Sequence, residues 1–263
     1  MHRSLSLFLC SLLSVGLASG ETIPAKQQQG SLHAMLLIYT ESGKLVGVAD
    51  DTNVAHGKTW TARLTLRFRD GSVDDDTTVY TQRPDLHVIS DHHIQKGPSF
   101  PKPMDMTVDT ASGQVTYHEV KGGKDEVKTD HLDVPQDLAN GLLGLVVQNF
   151  PRGVDEVKVG YIVAAPKPRL VKLAISRDGQ VGFTIGGERR KANNFKIHFE
   201  LGGIARVIAP IIGKEPGDLH IYALGGEAPT FMRLTGELYN GGTVYDLELS
   251  GPTWAKNAPA AAK

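Results

Sequence analysis

A mainly β fold, a strongly curved antiparallel meander or incomplete β-barrel enclosing one apolar helix, is what this 263-residue chain predicts. Three observations carry that expectation. Short runs alternating apolar and polar residues recur from Ser31 to Leu249, joined by Gly, Pro and Asp-Gly turns. Strands do not alternate with helical patterns, which removes βαβ architectures. A single stretch, Asp137 to Pro151 (DLANGLLGLVVQNFP), carries a long helical periodicity with start and stop residues at its ends. A dozen or more strands in one meander must curl, split or close.

In chain order, Met1 to Gly20 reads as an export signal. It has a basic start at Arg3, an apolar run from Leu5 to Leu17, and small residues at Ala18-Ser19-Gly20. The run is too short for a membrane span, and Cys10 inside it lacks a lipid-anchor context. Glu21 to Gly30 is polar and reads as a linker, 31–254 as a single β-rich domain, and 255–263 as a disordered Ala/Pro/Lys tail. In the domain, Trp60, Ala62, Leu64, Leu66 and Phe68 alternate with Thr61, Arg63, Thr65, Arg67 and Arg69, giving one apolar and one cationic face. Asp70-Gly71 should turn this strand into Val73 to Thr81, whose Asp74, Asp75 and Asp76 read as solvated charge opposite the arginines. The triplet lacks the spacing and loop glycine of a calcium site. Asp85 to Gln95 is a further strand, and the prolines of Gly97 to Pro103 forbid ladder pairing after it. Beyond the helix, Leu170 to Ser176 and Val181 to Ile185 read as two strands around an Asp178-Gly179 turn. Asn193 to Leu201 and three more strands end the domain. Ile204 to Ile212, broken by Pro210, reads as one or two helical turns capping the core or covering a cavity.

Within the helical stretch, Leu138, Ala139, Leu142, Leu143, Leu145, Val146, Val147 and Phe150 fill an arc of about 200°, wider than a surface helix presents. Gly141 and Gly144 weaken it intrinsically, so packing must hold it. Such a segment is a core plug, a mobile plug that moves aside to admit an apolar ligand, or an interfacial or partner helix.

With those elements in place, the chain resembles exported bacterial proteins of uncharacterised function. The resemblance lies in Phe68-Arg69-Asp70-Gly71, in Gln95 to Pro101, in Asn140-Gly141-Leu142 and in Gly225 to Phe231. It is loosely similar in shape to periplasmic half-barrel lipoprotein-carrier-like domains. What the resemblance implies is a fold more than a job.

Composition narrows the function. The net charge is −1, and loss of Arg3 with the leader makes it one unit more acidic, which argues against a nucleic-acid partner. Loss of the leader also removes Cys10, the sole cysteine, and with it any thiolate or disulfide chemistry. No His-Glu-x-x-His, Gly-x-Ser-x-Gly or phosphate-loop motif occurs. Ser90-Asp91-His92 are sequence neighbours, which does not make a triad. The ligand-like residues cluster at Asp85, His87, Asp91, His92 and His93. One regular strand would put Asp85, His87, Asp91 and His93 on a shared face, with His87 about 20 Å from His93. The leading expectation is a non-enzymatic periplasmic or secreted binder or carrier of an apolar, acyl-type ligand, without cofactor or metal. Leu142, Leu145, Val146 and Phe150 would line its cavity, with Ile204, Ile208 and Ile211 at the mouth. The alternatives are a metal-assisted envelope hydrolase using Asp91 and His93, and an interaction module recruiting a partner strand to a sheet edge.

Overall fold

The computed structural model describes residues 22–121, 124–164, 167–200 and 216–254. The expected export signal, the Ile204–Ile212 segment and the expected C-terminal tail lie outside them. Among the described residues fifteen strands form one antiparallel sheet. They are β1 (Leu32–Thr40), β2 (Leu45–His56), β3 (Thr59–Phe68), β4 (Val73–Gln82), β5 (Leu86–Lys96), β6 (Met104–Asp109), β7 (Gln114–Lys121) and β8 (Lys124–His131). A short helix, α1 (Leu143–Gln148), precedes β9 (Glu156–Val163), β10 (Arg169–Ile185), β11 (Glu188–Glu200), β12 (Leu219–Leu224), β13 (Thr230–Glu237), β14 (Val244–Leu249) and β15 (Thr253–Trp254). The order is β15-β10-β11-β12-β13-β14-β1-β2-β3-β4-β5-β6-β7-β8, with β9 also on β10. Two meanders thus join through the β1–β14 pair, and β8 does not pair with β9 or β15. Among the described residues the sheet is not closed.

The alternation in β3 works as its pattern predicts on the outer face. Arg63 grips Asp75 with two hydrogen bonds of 2.8 and 2.6 Å, and Arg67 reaches Asp50 at 2.6 Å. The acidic triplet behaves differently from the expectation. Only Asp75 faces the arginines, because successive residues of β4 point to opposite faces. Asp74 turns inward and is buried, and Asp76 follows it.

The expected turn at Asp178-Gly179 is instead a bulge inside one long strand. Arg177 pairs with Phe195 and Gln180 with Asn193, so Asp178 and Gly179 together oppose Asn194. The Asn194 side chain fills the gap, donating to the Asp178 carbonyl at 3.2 Å and carboxylate at 3.0 Å.

The long helix expected from Asp137 to Pro151 is corrected to the six residues of α1. The first half of the stretch runs along β9 instead. Leu138 bridges Gly160 in parallel, Ala139 N–H donates to the Gly160 carbonyl, and Gly160 N–H donates to the Asp137 carbonyl. Asn140 extends this with its amide, accepting from Ile162 N–H at 2.8 Å and donating to the Ile162 carbonyl at 3.0 Å. Gly160 permits the approach, since a Cβ there would stand 2.7 Å from Pro135 Cγ. Helical periodicity arose here because two differently built halves both bury their apolar residues: Leu138, Ala139 and Leu142 before the helix, Val146 and Val147 within it.

Gly141 makes the break. Its φ of +63° is left-handed, and a Cβ would lie 1.8 Å from Thr78 Oγ1 of β4 and 3.2 Å from Asp91 Oδ1 of β5. The segment therefore runs from β9 to the inner side of β4 and β5, and α1 then packs on β12 and β13. The main apolar cluster unites those distant strands, from Tyr80, Val88 and Met106 through Leu142 and Val146 to Val159, Ile175, Phe195 and Ile221.

Replacing Gly141 with Ala should cost clearly more stability than replacing Gly153, whose φ is +75° with nothing within 4 Å. Both changes carry the left-handed penalty of about 1–3 kcal/mol, and Gly141→Ala adds an overpacking cost of similar size. Urea unfolding of the two variants measures the difference. Equal losses would mean that Gly141 is not pressed against Thr78.

Candidate functional site

The residues 22–30, expected to be a linker, form a packed strap. Ile23 and Ala25 are buried, and Pro24 bridges Asp85. Gln29 and Gln82 exchange hydrogen bonds of 2.7 Å in both directions between amide and backbone. Gln27 N–H then donates to Asn149 Oδ1 at 2.7 Å, tying the strap to the end of α1.

Beside that tie is a cleft of about 470 Å³. Val147, Phe150, Phe195 and Leu224 supply its apolar surface, and Lys26, Arg152 and Arg177 its charge. Phe150 and Phe195 lie 5.2 Å apart, centroid to centroid. The Arg177 guanidinium sits over both rings, at 4.7 and 5.4 Å, and donates to the Pro151 carbonyl at 3.3 Å. Among the described residues no carboxylate lines the cleft, and none pairs with Lys26, Arg152 or Arg177.

Of the residues expected to line a cavity, Phe150 reaches this cleft. Leu142 and Val146 are core residues, 1 % and 2 % exposed, and Leu145 packs on the same cluster while partly buried. Ile204, Ile208 and Ile211 lie outside the described residues. Arg152, Arg177 and Phe195 were not expected at a site. They come from three separate elements, and only the fold brings them together.

A second polar neighbourhood lies on the inner face of β4 and β5. The strand β5 is not regular: Val79 pairs with Ser90 but Tyr80 with Val88, leaving Ile89 as an extra residue. Before this bulge Leu86 and Val88 face the core; after it Asp91 and Gln95 do, with His93 between them. His87 is therefore not on the face of Asp91 and His93, which corrects the single shared face of the sequence reading. The cross-strand partners are Asp74 with Gln95, Asp76 with His93, and Thr78 with Asp91.

These groups satisfy one another in part. Asp74 takes one oxygen to His93 Nε2 at 2.7 Å and the other to Gln95 Nε2 at 2.8 Å. Asp91 Oδ1 accepts from Thr78 Oγ1 at 2.6 Å, while Asp91 Oδ2 and Asp76 Oδ1 have no partner. Desolvation, with the Asp91 charge next, pushes the Asp76 carboxyl well above the ordinary range, and Asp91 is raised by its own burial. Burial thus disfavours a full negative charge on either carboxyl, more strongly on Asp76. Burial opposes charge on His93 too, but Asp74, then Asp76 and Asp91, outweigh it and push its pKa up to about 9. The Tyr161 hydroxyl, pushed up by burial and by the same three carboxylates, completes the group from β9. Asp91 and His93 share a face, yet each is engaged by a different neighbour. Among the described residues no group of His, Cys, Asp and Glu has the geometry to hold a metal ion.

The fold and these two neighbourhoods define a mainly β protein whose described residues form a single open antiparallel sheet. No family model and no curated protein matches the chain. Among solved structures it is similar to a β-barrel-like protein of the domain of unknown function DUF1849 from Brucella abortus. That similarity has 10 % identity and a TM-score of 0.48, over 87 % of this chain and 99 % of that one. No helix among the described residues is long and apolar enough to cross a membrane.

Both raised groups bind protons more tightly in the fold than in the unfolded chain, so stability should fall as pH rises. Asp76 begins to cost stability above 3.8, where the unfolded carboxyl ionises. The His93 contribution is complete below 6.5 and disappears as pH climbs through about 9. It is worth at most about 3 kcal/mol. Urea midpoints measured across this range should decline, and Asp76→Asn should gain on wild type as the pH rises from acid to neutral. A wild-type midpoint that rises between pH 6.5 and 9 would contradict the assignment.

Proposed function

We infer that this protein is a non-enzymatic binder of an apolar, acyl-type ligand, exported to the cell envelope after loss of residues 1–20. The observation that carries the reading is the cleft, where Val147, Phe150, Phe195 and Leu224 offer apolar surface beside Lys26, Arg152 and Arg177. Its volume suits a small organic molecule. In this reading the Asp137–Phe150 segment plugs the concave face of the sheet. Leu142 and Val146 fill the interior, and Val147 and Phe150 meet the ligand. The ligand thus lies at the end of the plug, not alongside Leu142.

The test is binding of N-phenylnaphthylamine, a dye that brightens in apolar sites, with displacement by dodecanol. Leu224→Trp should fill the cleft and weaken dye binding at least about tenfold, or about 1.4 kcal/mol. Its urea midpoint should stay near wild type, since Leu224 is only partly buried at a strand end. Unchanged affinity in that variant, or no saturable binding by wild type, defeats the proposal.

A further inference from the structure

We propose that the cleft beside Phe150 selects ligands carrying an oxyanion head, a carboxylate or a phosphate monoester, on an apolar chain. This rests on the binder reading above and adds the chemistry of the head to it.

The argument begins with charge. Lys26, Arg152 and Arg177 come from the strap, the α1–β9 connection and β10, and the fold converges them on one cleft. Arg63, Arg67, Lys172 and Arg233 are matched by acids, whereas cations such as Lys44, Lys96 and Lys196 are unmatched among the described residues but stand on separate stretches. What sets the cleft apart is that three unmatched cations line one concavity. The three cleft cations have no such match among the described residues, so they repel one another until an anion arrives.

The second step is preorganisation. Arg177 lies over Phe150 and Phe195, and one of its nitrogens is spent on the Pro151 carbonyl. Stacking on two rings holds the guanidinium plane, so its remaining N–H donors face a ligand with little conformational freedom to lose. A planar fork of donors matches a carboxylate or phosphate better than a hydroxyl or an ammonium. Beneath it the two rings are apolar, so an oxyanion at Arg177 leaves its chain against Phe150, Phe195 and Leu224.

Four probes of equal chain length separate the terms by titration calorimetry on the purified protein: dodecanoate, dodecyl phosphate, dodecanol and dodecyltrimethylammonium. Inorganic phosphate serves as the head alone. Dodecanoate and dodecyl phosphate should bind at least about tenfold tighter than dodecanol, and the ammonium weakest. Arg177→Ala should abolish the anion preference, so that the variant binds dodecanoate and dodecyl phosphate no tighter than it binds dodecanol. Because Arg177 also packs on two rings, Arg152→Ala and Lys26→Ala provide milder variants at exposed positions. Each should reduce the anion preference and lower its salt dependence. Equal affinity for dodecanoate and dodecanol overturns the oxyanion head and leaves the binder reading standing. Inorganic phosphate binding as tightly as dodecyl phosphate overturns the apolar chain instead. Absence of binding by every probe removes both.

Discussion

The contact on which the rest depends is the pairing of residues 137–140 with β9. An open sheet has free edges and an apolar face that must be covered, since unpaired edge groups and exposed apolar surface both destabilise. One segment meets both needs. Its backbone and the Asn140 amide satisfy Gly160 and Ile162 of β9, acting as a partial extra strand. From there Gly141 carries it against Thr78 and Asp91 on β4 and β5, a part of the sheet far from β9 in strand order. Asp137 anchors the start: its fully buried side chain reaches Lys172 of β10 at 2.8 Å. A buried carboxylate left without that partner would be strongly unfavourable, so the ion pair fixes position more than it adds net stability.

The polar face of β4 and β5 follows from this placement. Ala62, Leu64 and Leu66 on one side and Met104, Met106 and Val108 on the other are the cross-strand partners of Thr78, Asp76, Asp74, Gln95, His93 and Asp91. In such surroundings three separate negative charges could not be held. Asp74 pairs with His93, and burial holds the carboxyls of Asp76 and Asp91 above their ordinary range, which disfavours a full negative charge on each. Two carboxyl oxygens still lack partners, and apolar residues of similar size would satisfy the site better. This is where local consistency between sequence and fold is weakest.

Much of the sheet was legible because alternation in β3, the Asp70-Gly71 turn and the late hairpins follow from period-two burial and turn chemistry. What escaped has common physical causes. Bulges change which residues share a face, and nothing in DLHVISDHHIQ marks Ile89 as the extra residue. The Asp137 stretch satisfied a helical template because burial, not helicity, sets its apolar spacing; Gly141, read as a propensity cost, was the actual boundary. Asp74 and Asp76 were placed in solvent because carboxylates seldom go inside, and only the pairing of β4 with β5 shows their partners. The cleft was illegible for a different reason. Phe150 could be named from one helix face, but Arg177 and Phe195 meet it through a cross-strand pair in another part of the chain.

Two bulges place the two polar sites. On β5 the extra Ile89 shifts the inward row from Leu86 and Val88 to Asp91 and Gln95, bringing polar side chains against the plug. On β10 the inward row Leu173 and Ile175 ends at Arg177, opposite Phe195. Past Asp178-Gly179 the alternation inverts, and Phe183 joins Tyr222, Met232 and Trp254 in a separate cluster. A regular β10 would have continued its apolar row into the place where the cleft now opens. The bulge stops that row on a cation instead, and α1, ending at Gln148, leaves Phe150 for that cation to cover. The cleft is thus the space between a strand that changes face and a helix that stops one residue short of Asn149, and the strap's bond to Asn149 Oδ1 keeps its side wall in place.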